Sequence, residues 1–91
     1  MEFKGTPGPW LHADSHGLNE TAGGAIHGDG KTLCLVMGKS IGKEKATANA
    51  KLMAAAPEMI DFLLRINGAY YLSDKHQSEL NSIIKKALGR E

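Results

Sequence analysis

Ala25-Ile26-His27-Gly28-Asp29-Gly30-Lys31-Thr32-Leu33-Cys34-Leu35-Val36-Met37 is the stretch on which the fold turns. Gly28-Asp29-Gly30 supplies what a tight hairpin needs, because glycine and aspartate tolerate positive φ. Before that turn, Ala25-Ile26-His27 predicts one strand. After it, Thr32 to Met37 predicts another, and its unbroken apolar run predicts burial on both faces. Cys34 then reads as a core cysteine, whose thiol is inert in apolar surroundings.

Working outward, Trp10-Leu11-His12-Ala13 predicts a first strand, entered from Thr6-Pro7-Gly8-Pro9, where two prolines forbid helix. Residues 14–24 are polar and Gly-rich and suit either a loop or a weak strand. On the C-terminal side the texture changes. Residues 1–43 contain nine of the eleven glycines, whereas residues 44–91 contain only Gly68 and Gly89 and are rich in helix formers. A helix is expected through Lys43 to Ala55, with Ser40 as a candidate cap and Glu44 near its positive end. Pro57 predicts a sharp kink or the fresh start of a second helix running on to Ile66. Asn67-Gly68 supplies a stop. Ser73-Asp74 opens a last helix, whose Leu80, Ile83, Ile84, Ala87 and Leu88 follow helical spacing. The expected architecture is α+β: a three-stranded antiparallel meander followed by two to three helices. One domain, 1–91, is expected, with a strand part (1–43) and a helical part (44–91).

Composition narrows the function classes. The chain is 42% hydrophobic and 23% charged, ordinary for a folded protein. Eleven Lys and Arg against ten Asp and Glu leave a net charge of +1, and both halves are nearly balanced, so no basic face announces nucleic-acid binding. A single cysteine excludes an internal disulfide and suits a reducing compartment. No apolar leader and no run of 18 apolar residues is present, which predicts a chain with no membrane partner, resident in the cytosol of the cell that makes it.

The motifs closest to known chemistry are each incomplete. Gly30-Lys31-Thr32 ends like a phosphate-binding loop, but that loop needs a glycine at position 25, which is Ala25, and should open a helix rather than a strand. His12 and His16 have zinc-ligand spacing only on a helix, and Pro9 and Gly17 argue against one. Asp14, Glu20 and Asp29 lie in turns and form no evident carboxylate pair. These readings predict no cofactor, no metal and no enzymatic activity.

Binding is left. Trp10, the single tryptophan, reads first as core and second as a partner anchor, while Tyr70-Tyr71 suits either role. The candidate partner-binding residues are Tyr70 and Tyr71, with His27, Asp29 and Lys31 around the hairpin. The alanine-rich run Ala46 to Ala56 gains stability mainly by packing closely on something, either the sheet or a second copy of the chain, and a homodimer through the helical half is expected.

Thr6-Pro7-Gly8-Pro9-Trp10, followed by Ala48-Asn49-Ala50-Lys51-Leu52-Met53-Ala54-Ala55-Ala56-Pro57-Glu58-Met59-Ile60, resembles a group of short phage and prophage accessory proteins patterned TPGPW, strands, then ANA(K/R)LIAAAPELLEAL. The chain departs from that pattern in residues 14–24 and after Ile66. The resemblance implies a phage origin, a strands-then-helix fold and action in the host cytoplasm, and no catalytic residues. From size and origin, the leading expectation is a counter-defence protein that binds and inhibits a bacterial defence component, as anti-CRISPR inhibitors do. A second is an oligomer sequestering a nucleotide immune signal, with residues 17–30 and Lys31 facing the phosphates. A third is a minor nucleic-acid-binding regulator using Lys75, Lys85, Lys86 and Arg90, diluted by Asp74, Glu79 and Glu91.

Overall fold

The computed structural model describes residues 3–14 and 22–89. Three strands, β1 (Trp10–Ala13), β2 (Gly24–Gly28) and β3 (Lys31–Val36), precede two helices, α1 (Lys43–Ile66) and α2 (Asp74–Ala87). The strands form one antiparallel sheet in the order β1-β2-β3, so the architecture is α+β with a meander, as the residue pattern predicts. Two compact units divide the chain: Thr6–Pro57, and Met1–Gly5 with Glu58–Glu91.

The hairpin between β2 and β3 is built as its residues dictate. Asp29 and Gly30 occupy the two loop positions with φ of 52° and 73°, the paired left-handed conformation of a type I′ turn. A bulge follows at once. Ile26 pairs with Cys34 and His27 with Thr32, so Leu33 is the extra residue on β3.

In the first unit, Ile26, Val36 and Ala50 form the buried cluster, with Trp10, Leu33 and Ala54 packed against it. The alanines of α1 let that helix lie close on one face of the sheet. Gly23 marks the tightest approach: a Cβ there would sit 2.6 Å from Val36 Cγ1 and 2.8 Å from the Ala46 carbonyl oxygen. Trp10 is half-buried in this layer, and its indole N–H donates to the Thr6 carbonyl at 3.1 Å.

Four expectations are corrected. β3 is not buried on both faces: Cys34 is exposed, and Leu35 and Met37 are 59% and 60% exposed. An apolar run is ambiguous about its second face, and here helix packs on only one side of an edge strand. Cys34 is therefore not a core residue, and the thiol of the native protein is expected to react fully with a disulfide exchange reagent before denaturant is added; a thiol titrating only after unfolding would return it to the core. Ser40 does not cap α1. It lies in a turn closed by Gly42 N–H donating to Gly38 O at 2.8 Å, and Gly42, at φ 90°, offers its carbonyl to Ala46 N–H at 3.0 Å. Nor does Pro57 begin a new helix, because α1 is continuous from Lys43 to Ile66 with Pro57 inside it. The proline is buried, and its ring lies so close to Gly8 that a Cβ there would meet Pro57 Cβ at 2.8 Å. Packing of the ring offsets the one hydrogen bond that proline cannot make.

In the second unit, α2 starts where expected. The Ser73 hydroxyl accepts from the His76 N–H at 3.3 Å, and Asp74 stands in the first turn, against the positive end of the helix dipole. Leu80 and Ile84 are buried, whereas Ile83 is 53% exposed. Gly68, at φ 81°, follows the last turn of α1. Gln77 joins Asn67 to Asn81, donating 2.8 Å and 3.1 Å hydrogen bonds to their side-chain oxygens.

Candidate functional site

The sheet register sorts β-strand side chains into two faces, because opposed residues point the same way. On the face away from the Ile26–Val36–Ala50 cluster, one cross-strand row is Leu11–His27–Thr32 and the next is Ala13–Ala25–Leu35. Leu11 is 63% exposed and Leu35 59%, so this face presents two large apolar side chains to solvent. Thr32 Oγ1 lies 3.0 Å from His27 Nδ1, which holds the imidazole upright in the row.

At the hairpin end, a groove of about 340 Å³ adjoins this face, lined by residues 7–9 and 28–30 together with Leu11 and His27. Pro7 and Pro9 stiffen one part of the lining, and the type I′ turn stiffens another. Asp29 is its one carboxylate, and no lysine or arginine contributes. Such a lining offers apolar contact, exposed backbone and a negative charge.

Among the candidates from the sequence, the groove brings together His27 and Asp29. Lys31 opens β3 and is not part of the lining. Tyr70 and Tyr71 are 69% and 94% exposed between α1 and α2 and belong to the other unit. Leu11, Leu35 and the Pro7–Pro9 turn were not legible as a surface, since each sits in a segment that reads as strand interior or strand entry. The signal that finds them is the register, in which His27 stands between Leu11 and Thr32 and Ala25 between Ala13 and Leu35.

Metal-binding geometry is not assembled among the described residues: no three of their His, Cys, Asp or Glu side chains come together. His12 Nε2 lies 2.8 Å from the Gly23 carbonyl oxygen, which can only accept, so that nitrogen carries the proton and is spent on the backbone. His16 and Glu20 lie outside the described residues. No helix among the described residues is long and apolar enough to cross a membrane.

A family model described as Salmonella phage P22 protein Y8K6 matches residues 1–91, the whole chain. No curated protein and no solved structure matches.

Proposed function

Because the chain belongs to the family of Salmonella phage P22 protein Y8K6, we propose that it is a phage accessory protein that acts in the infected bacterium by binding a host protein, without catalysis. The host component that best fits this reading is one of antiviral defence, which binding would block. The observation that carries the binding role is the outer sheet face. Leu11 lines the groove and is 63% exposed, and Leu35, on the same face, is 59% exposed, two large apolar side chains that no element of their own unit covers.

The groove lining works against the nucleotide-sequestering alternative. A phosphate-bearing ligand would meet the Asp29 carboxylate there and no lysine or arginine, while residues 17–21, which that alternative also uses, lie outside the described residues. The balanced charge of the chain likewise gives nucleic-acid binding no support.

Affinity capture from host lysate, with the protein at near-native expression, tests the proposal when run beside Leu11→Asp and Leu35→Asp. Both positions are exposed, so both variants should fold, and each should retain no more than about one-hundredth of the captured host protein. Recovery of no host protein, or equal recovery by the wild type and both variants, would sink it.

A further inference from the structure

Helix α1 carries a second apolar face that the sheet does not use. Ala48, Leu52, Ala55, Met59, Phe62 and Ile66 alternate by four and three residues, the spacing of a coiled-coil seam. Leu52 is 63% exposed, Met59 42% and Phe62 54%. The buried residues Ala46, Ala50 and Pro57 each precede a seam residue by two positions, roughly 200° around the helix, so the seam lies opposite the buried stripe.

Charges beside the seam indicate what covers it. Glu44, Lys51, Glu58 and Arg65 recur every seven residues with the signs alternating, and Lys51, Glu58 and Arg65 each stand just before a seam residue. Arg65 already leans toward the seam, with its guanidinium 5.7 Å from the centre of the Phe62 ring. A second α1 laid antiparallel, with Leu52 opposite Ala55 of the second copy, puts Ala48 opposite Met59, so Leu52 and Met59 each meet an alanine, while Phe62 meets Lys45, whose aliphatic stem can pack along the ring. The same register sets Lys51 against Glu58 of the second copy and Glu44 against Arg65, each pair occurring twice by symmetry. A parallel pair would face these charges with Asn49, Ala56 and Leu63 instead, which answer none of them.

We propose that the protein is a homodimer joined by antiparallel pairing of α1 through this seam. The alanines let the two helices approach closely, and the alternating charges select direction and register. This inference rests on α1 alone and is independent of the host-protein reading; its consequence for that reading is a particle that displays two sheet faces.

Sedimentation of the purified full chain between ~1 and ~500 µM reads the association directly. The wild type is expected to pass from monomer to dimer. Leu52→Glu places a charge in the seam and should weaken the dimer at least about 100-fold. Lys51→Glu should weaken it about tenfold, by removing two attractions and creating two repulsions, and Lys51→Glu with Glu58→Lys should restore it to within about twofold. Circular dichroism on each variant confirms that the helices persist. A wild type that stays monomeric throughout, a dimer indifferent to Leu52→Glu, or a double variant no tighter than Lys51→Glu would overturn the proposal.

Discussion

Ile26→Ala is expected to lower the folding stability of the Thr6–Pro57 unit by about 3 kcal/mol, within the range of about 2–5 kcal/mol for truncating a buried isoleucine. Ile26 is 1% exposed, in the central strand, and packs with Val36 and Ala50. Removing three carbons leaves a cavity that neighbours cannot refill. The alanines opposite are too short to reach it, and the strand backbone is held on both sides by its ladders. A small domain has only about 5–15 kcal/mol of stability in total, so the loss is a large fraction. Urea unfolding followed by Trp10 fluorescence measures it well, since this single indole packs against the same cluster. Ile83→Ala, at a 53% exposed position, should shift the midpoint little by comparison, when unfolding is followed by circular dichroism. Equal effects at the two positions would mean that the burial pattern described here is wrong.

Gly23→Ala is expected to cost about 2 kcal/mol, for a different reason. The added methyl would meet Val36 Cγ1 at 2.6 Å and the Ala46 carbonyl oxygen at 2.8 Å. The second contact is helix backbone, which cannot turn aside as a side chain would. Gly23 also donates its N–H to the Val36 carbonyl at 3.1 Å, so retreat of the loop would stretch that bond. The variant should melt at a lower temperature and lose some of its near-ultraviolet signal from Trp10. Gly30 provides the contrast: no atom lies within 4 Å of its would-be Cβ, but its φ is 73°. Gly30→Asn should therefore be nearly neutral, because asparagine accepts the left-handed conformation at a hairpin turn. If Gly23→Ala proves as mild as Gly30→Asn, close approach of helix and sheet is not what requires glycine at position 23.

The local elements were legible because their causes are local. Asp29-Gly30 can hardly do anything but turn, and the segments flanking it are too apolar to stay unpaired, so β2 and β3 follow. Ser73 and Asp74 open α2 through a hydroxyl and a carboxylate that need no distant partner, and Gly68 closes α1 through its backbone freedom. At Pro57 the sequence leaves a kink and a fresh start open, and the continuous α1 removes only the fresh start, with the ring buried beside Gly8. The candidate site was half legible. His27 and Asp29 stand out by position beside a turn, but Leu11 and Leu35 come from other strands, and only the register places them on the face that His27 shares.

What the sequence by itself determined is therefore the order of elements, the α+β class and the failure of the phosphate-loop motif at Ala25. Which of the apolar residues face solvent was decided by the tertiary structure. Leu33, Cys34, Leu35, Val36 and Met37 read alike along the chain. Val36 and Leu33 reach the core, while Cys34, Leu35 and Met37 do not. The physical reason is that burial depends on place in the layer and not on residue type: Leu35 pairs with Ala25 on the uncovered face, while Cys34 pairs with Ile26 on the covered face and is exposed all the same, in an edge strand. The exposed leucines on which the proposed binding role rests exist because nothing within this sheet's own unit packs on the face away from α1.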